Sequence, residues 1–511
     1  GGLKALQITE AIIYLIAKDN EPFTIVEKEG FKKLMKIIVP LYTLPSRKTI
    51  TSLVDDKYNA LSAVIRNKLA TVEYVSITVD IWTDTLNTKS YLGTTVHFVS
   101  EDKLKSATLG LLPLADRHTG DNIGPWISEV IEKWNIKSAN VIAFIADNAS
   151  NMYKGISDTF GSHRFMPCFA HSLNLVATKV IADSGIDYLL VKVKSIVTYF
   201  KHSVYASDKL RQKVDLKLIQ SVPTRWNSCF YMLERFIELS PHVGSILLEA
   251  DNSPDMLTAS ELRVIREFVK LLRPLEQATK EICGEAYSTG SKVIPLVNCI
   301  QQKIDKMETQ TSEGIKMKEL LKSAMNHRFK DIENKPLLAV ACILDPRFKK
   351  LHFKNKLAVS SAIRKIKQEL LVNGALTRFE NDLIVDDHNA EEDEDLWSCH
   401  KQLSAANNKT RQILSSDNGD MPISLKHYLD QPTSSLHVNP IQFWTKEVGG
   451  TYPHLKELAM RYLPLVATSV PSERLFSKAG NIITESRNRL SPKHLHELLF
   501  LNSLSEDEWN L

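Results

Sequence analysis

The chain has 511 residues, 43% of them apolar, and a formal net charge of +4. That length supports two or three domains, each with its own core. No apolar run reaches the ~18 residues of a membrane helix and no secretory h-region opens the sequence, so neither a membrane span nor export is expected.

Six cysteines, at 168, 229, 283, 299, 342 and 399, lack framework spacing and read as reduced thiols of a cytosolic or nuclear protein. The small net charge permits a DNA-binding surface without requiring one. It conceals an asymmetry, because residues 380–395 carry nine acids and neither Lys nor Arg, which leaves the remainder more basic.

Residues 5–70 read as helices. Ile8, Ile12, Ile13 and Ile16 recur at helical spacing, as do Phe31, Leu34, Met35 and Ile38. The segment Pro45-Ser-Arg-Lys-Thr49 interrupts them, and Ser46 or Thr49 can cap the helix that follows. The period then changes to two: Val75, Ile77 and Val79 alternate with Ser76, Thr78 and Asp80, which places Asp80 on the polar side of a strand. Strands are predicted at 91–99 and 107–112, then a helix carrying Ile123, Trp126, Ile127, Val130, Ile131 and Trp134. The continuous apolar run Val141–Ala146 predicts a buried strand ending at Asp147. Three strands, a helix and a strand, with acids ending the first and the fourth, form the opening of a ribonuclease H-like fold. From about 172 to 375 the pattern is helical. Residues 376–435 lose periodicity and gather acids, Asn and Ser, predicting a mobile loop. Helical spacing returns through Leu455, Leu458, Tyr462 and Leu463, and through Leu495, Leu498 and Leu499.

Three acidic segments carry the chemistry: Ile77–Asp84, Phe144–Asn151 and Ser469–Phe476. Asp80, Asp147 and Glu473, if they converge, can hold two divalent ions ~3.5–4 Å apart, the apparatus for cutting and joining DNA. Each also has a structural reading: Asp147 as an Asx turn or helix cap, Glu473 as a first-turn acid on the helix dipole after Pro471. More than half of the chain separates Asp147 from Glu473, so a large helical insertion must interrupt the fold. Cys168-Phe-Ala-His171 lacks the second pair that tetrahedral zinc needs, and reads as a buttress of the active site or a DNA-backbone contact. In Val222-Pro-Thr-Arg-Trp-Asn-Ser228, Arg225 can clamp phosphate and Trp226 can stack on an unpaired base; equally, Trp226 can anchor a helix start capped by Thr224 or Asn227. Asp345-Pro-Arg347-Phe-Lys349 reads as a helix stop with a basic turn.

Together these segments resemble the hAT superfamily of DNA transposases, the hobo and Activator type, and the BED-finger proteins related to it. The resemblance runs from about residue 8 to 505. Its strongest marks are residues 222–228, residues 167–175, and a terminal block from Tyr452 through Ser472-Glu-Arg-Leu-Phe-Ser477 to Arg487-Asn-Arg-Leu490, which resembles the dimerisation signature of that family. The resemblance implies Asp80, Asp147 and Glu473 as catalytic acids and metal ligands, with magnesium, or manganese in its place, as the cofactor. It implies Trp82 beside the first acid, and Arg225-Trp226 at a base flipped during hairpin formation. Cys168, His171, Arg47 and Lys48 complete the DNA-contact candidates.

The expected architecture is α/β: a helical domain for dimerisation and DNA contact at 1–70, a ribonuclease H-like core beginning at 71–175, a helical insertion at 176–440, and a dimerisation region at 441–511 that completes the core. The expected function is cut-and-paste transposition of double-stranded DNA in the nucleus by a homodimer or larger homo-oligomer. The alternative is a domesticated, dimeric DNA-binding regulator. One departure from the family pattern is that no BED zinc finger occurs in the sequence, and Gly1-Gly2 reads as a cloning remnant.

Overall fold

The computed structural model describes residues 2–222, 225–284, 288–372, 396–411, 421–483 and 490–510. The acidic run at 380–395 lies outside the described residues, as do Pro223, Thr224 and Arg487–Arg489. The chain is mixed α/β and divides into two units. One comprises Gly1–Cys168, Glu285–Gly290 and Asn439–Leu511; the other comprises Phe169–Gly284 and Ser291–Val438.

The first unit is built on a five-stranded mixed sheet. Its strands are β1 (Val75–Asp84), β2 (Lys89–Ser100), β3 (Lys103–Leu114), β4 (Val141–Ala146) and β5 (Phe165–Pro167), in the order β3-β2-β1-β4-β5. The β1–β2 and β2–β3 pairs are antiparallel, while β4 lies parallel to β1 and β5 parallel to β4. Three N-terminal helices, α1 (Leu3–Lys18), α2 (Glu29–Ile38) and α3 (Arg47–Thr71), belong to this unit with α4 (Gly120–Lys133) and α5 (Ser150–Phe160). So do the C-terminal helices α17 (Pro440–Gln442), α18 (Pro453–Tyr462), α19 (Val470–Ile482), α20 (Pro492–Ser503) and α21 (Glu506–Trp509). Ile12, Ile16, Ile50 and Leu61 share one apolar core with Ile77, Phe144, Leu475 and Phe500. Residues 1–70 therefore pack with the sheet instead of forming a core of their own.

Strand β1 departs from its predicted half-polar character. Ser76 and Thr78 are as buried as Ile77 and Val79. Their hydroxyls are satisfied by the C-terminal segment: Ser76 Oγ donates to Pro464 O at 2.7 Å, and Thr78 Oγ1 lies 3.0 Å from Ser472 Oγ. A face that alternation assigns to solvent is instead covered by chain arriving from far along the sequence.

The second unit is helical throughout its described residues: α6 (Phe169–Asp183), α7 (Asp187–His202), α8 (Val204–Lys213), α9 (Trp226–Glu249), α10 (Ala259–Ile282), α11 (Val293–Lys306), α12 (Ser312–Phe329), α13 (Pro336–Leu344), α14 (Lys356–Val372), α15 (Ser398–Arg411) and α16 (Ile423–Asp430). Two of these, α15 and α16, fall in the stretch expected to be aperiodic loop. The Asp345–Lys349 turn, read as a helix stop with a basic turn, is buried. Arg347 Nε and Nη2 donate to the two Asp345 carboxylate oxygens at 2.9 and 2.6 Å, and Lys349 Nζ donates to Gln431 O at 2.8 Å. Burial of those charges is tolerable because each is paired and hydrogen-bonded.

Candidate active site

The sheet register aligns the first two acids. Parallel strands β1 and β4 pair Thr78 with Ile145, and carrying that register forward two residues sets Asp80 beside Asp147. Side chains two apart point to the same face of a strand, and adjacent strands lie ~4.8 Å apart. Asp147 ends the fully buried β4 and its Oδ1 accepts from Ala149 N–H at 3.1 Å, an Asx turn into α5.

Helix α19 brings the third acid. Pro471 sits in its first turn, where no amide donor is needed, and Glu473 follows in the same turn. Two contacts seat this helix on β1, four residues apart along each element. Thr78 meets Ser472, and the Trp82 ring stacks on Phe476 with centroids 5.9 Å apart and planes at 17°. Between these, Asp80 feels Glu473: burial first, then the Glu473 carboxylate, and then Asp147 push the Asp80 carboxyl up to about 7, against partial relief from the Ile81 N–H. Asp80 pairs across the sheet with Gly93 of β2. A Cβ at Gly93 would stand 2.5 Å from Phe476 Cε1, so only glycine lets α19 come this close.

Among the described residues no ion pair reaches Asp80, Asp147 or Glu473. Burial, the Glu473 carboxylate and Asp147 raise the proton affinity of Asp80, and with no cationic side chain pairing it among the described residues this setting suits a divalent cation. The oxygens of the three acids are not all within 4.8 Å of one another, unlike the two tight ligand groups among the described residues, Cys299–His352–Cys399 and Asp55–His494–Glu497. In the second of these the Lys493 ammonium already serves as counter-charge, 2.8 Å from Asp55.

The remaining candidates fall into different settings. Cys168 is fully buried; its N–H donates to Ala146 O at 2.7 Å and its Sγ accepts from Ser469 N–H at 3.4 Å, so the thiol holds the start of α19 and does not face solvent. Trp82, half-buried, also stacks on Tyr91. Arg47 and Lys48 are exposed on the first turn of α3, behind the Ser46 cap. His171, half-buried on α6, and Arg225, exposed where α9 begins, belong to the helical unit. Trp226 is only 5% exposed and packs edge-on against Phe230, so its indole is held inside the protein and not offered to an unpaired base. Sequence reasoning missed Thr78, Ser472, Gly93 and Phe476. Gly93 did leave a signal: a glycine in the middle of a strand marks close approach of another element.

Three protein families match the chain. The ZBED1 RNase-like domain matches residues 78–170, the ZBED1 RNase-like helical domain matches residues 166–271, and the hAT family C-terminal dimerisation region matches residues 424–505. Human zinc finger BED domain-containing protein 4 is 26% identical over 97% of this chain and 43% of its own length. The putative AC transposase of Zea mays is 26% identical over 94% of this chain and 62% of its own length. The hobo transposase of Drosophila melanogaster is 27% identical over 56% of this chain and 45% of its own. The chain thus spans less than two thirds of the length of these relatives. The dimerisation match supports homo-oligomerisation, and no helix among the described residues is long and apolar enough to cross a membrane. The RNase-like matches cover both flanks of the first two acids and the dimerisation match covers the third, and by this whole pattern the chain is an hAT-family transposase-like protein.

Proposed function

We propose that the chain is a metal-dependent DNA transposase, with a ribonuclease H-like core interrupted by the helical unit, acting in the nucleus as a homo-oligomer on double-stranded DNA. One observation carries this function: Asp80, raised to about 7 by burial and by Glu473 and Asp147, faces other acids and no ion-paired cation among the described residues. Asp80, Asp147 and Glu473 would hold magnesium, with manganese able to replace it. When bound, the two ions activate the attacking oxygen and stabilise charge on the leaving one. The remaining work falls to the protein. The Thr78–Ser472 contact fixes the turn that carries Glu473, Trp82 walls the site beside Asp80, and Cys168 holds Ser469. Arg225, Arg47, Lys48 and His171 would bind phosphates, while Trp226 seats the helix that begins at Arg225.

Such an enzyme nicks at transposon ends, closes the flanking DNA into a hairpin and joins the freed 3′-OH to target DNA. The test is incubation with DNA ending in the inverted repeats that flank its own gene, with magnesium, and separation of nicked, hairpin and joined products on denaturing gels. Asp147→Asn should abolish all three products and leave DNA affinity near that of the unaltered chain, since a carboxylate facing DNA repels it. Tight DNA binding with no cleavage in either magnesium or manganese would overturn the enzymatic function and favour a DNA-binding regulator.

A further inference from the structure

The helical unit contains a ligand set that the transposition chemistry does not use. Cys299 of α11, His352 in the turn after α13 and Cys399 at the start of α15 are all buried, and one ligand atom from each lies within 4.8 Å of the others. No disulfide joins the two cysteines. The imidazole is the telling element. His352 Nε2 lies 2.8 Å from His400 Nδ1, whereas His352 Nδ1 is buried with no hydrogen-bond partner. A buried ring nitrogen left bare costs free energy unless something else takes its lone pair. With the proton on Nε2 donated to His400, the Nδ1 lone pair is available. A ligating histidine is held by its other N–H in this same way.

The surroundings fit a soft cation. His352 is buried, and its ring lies nearly parallel to that of His400, 13° between planes with centroids 5.1 Å apart. The Cys399 Sγ lies 3.8 Å from Asn298 Oδ1, which holds the thiol in the pocket. Phe348 stacks on Trp397 at 5.6 Å and meets His400 edge-on, walling the pocket with aromatic rings. Asn298 Nδ2 donates to His352 O at 3.1 Å and so fixes the turn that presents the ring. A sulfur-rich set of two thiolates and one imidazole suits zinc above magnesium or calcium.

We infer that Cys299, His352 and Cys399 form a zinc site that pins α15 to α11 inside the helical unit, with a fourth position left for water. The site is independent of the acids proposed for catalysis. By linking three residues far apart in sequence it would constrain the unfolded chain and so stabilise the unit.

The test uses the 511-residue chain expressed in zinc-supplemented medium, then stripped and reloaded with cobalt(II). The expected result is about one zinc per chain by elemental analysis, and a thiolate-to-cobalt charge-transfer band on reloading. Cys299→Ser and Cys399→Ser should each weaken that band, His352→Ala should shift the d–d absorption, and Cys229→Ser, outside the cluster, should leave both unchanged. Circular dichroism on each variant separates lost ligation from lost folding. Chelation should lower the melting temperature of the unaltered chain and have less effect on Cys399→Ser. Absence of bound metal together with no thiolate–cobalt band, or a Cys299–Cys399 disulfide in the isolated protein, would overturn the inference.

Discussion

Thr78 Oγ1 of β1 and Ser472 Oγ of α19 lie 3.0 Å apart in a fully buried contact between residues 394 positions distant in sequence. Thr78 Oγ1 keeps only longer contacts, 3.4 Å to Thr95 O and 3.4 Å to His97 Nε2, so losing Ser472 removes its best partner in a buried setting. Ser472→Ala should cost about 1–2 kcal/mol of stability. If the proposed chemistry holds, it should lower strand cleavage by more than that loss of folded protein explains, because the Glu473 turn loses its anchor. Denaturant unfolding beside single-turnover cleavage checks both; unchanged stability would show that the contact contributes nothing.

Gly93 offers a sharper steric test. Gly93→Ala puts a methyl 2.5 Å from the Phe476 ring and should destabilise by about 1–3 kcal/mol as α19 is pushed from β1. Shortening the obstacle should relieve the clash, so Gly93→Ala with Phe476→Leu should be more stable than the sum of the single changes predicts. A double-mutant cycle measures this coupling directly. Additive behaviour would mean that the ring moves aside freely.

The raised Asp80 carboxyl makes metal binding and pH interdependent. Its folded value, about 7, lies above the ordinary 3.8, so the folded chain holds a proton that the unfolded chain has lost between those limits. Stability from this group is therefore full at low pH and is lost as pH rises through about 7. Magnesium should replace the proton: melting temperature should rise with added magnesium at pH 8 and little at pH 5. Asp80→Asn should melt higher than the unaltered chain at pH 8 without metal, and should lose most of the magnesium response. Thermal scans at two pH values, with and without magnesium, decide it.

For Trp226, burial against Phe230 sets the expectation. Trp226→Ala should cost about 3–5 kcal/mol, and Trp226→Phe should recover part of that. Nicking and hairpin formation should fall together, in proportion to folded protein. A selective loss of hairpins in the well-folded Phe variant would instead return the indole to a role at an extruded base.

Much of the sheet was legible in the residues. Val141–Ala146 is a strand at the bounds its apolar run gives, and the alternation from Val75 marks β1. Strand β5 was not legible, because three residues, Phe165–Pro167, show no period. The covered face of β1 was also hidden, since alternation reports side-chain direction and says nothing of what will lie on top. In the helical unit, α15 and α16 have too few apolar repeats to stand out from polar loop. Cys299, His352 and Cys399 carry no recognisable spacing because the turns that join them are tertiary, not local. Trp226 beside Arg225 read equally as platform or anchor, and only packing could separate the two.

Seating α19 on β1 also has a consequence in time. A ribosome delivers the chain from the N-terminus, so all five strands are made long before Pro464 to Phe476 emerge. Until then Ser76 lacks the Pro464 acceptor, Thr78 lacks Ser472, and their apolar neighbours wait on a sheet without its cover. A sheet exposed in this way during synthesis is prone to association with other chains until its cover arrives. The same order means that a prematurely terminated product retains Asp80 and Asp147 but never receives Glu473. If the proposed chemistry holds, such a product cannot assemble the three-acid site.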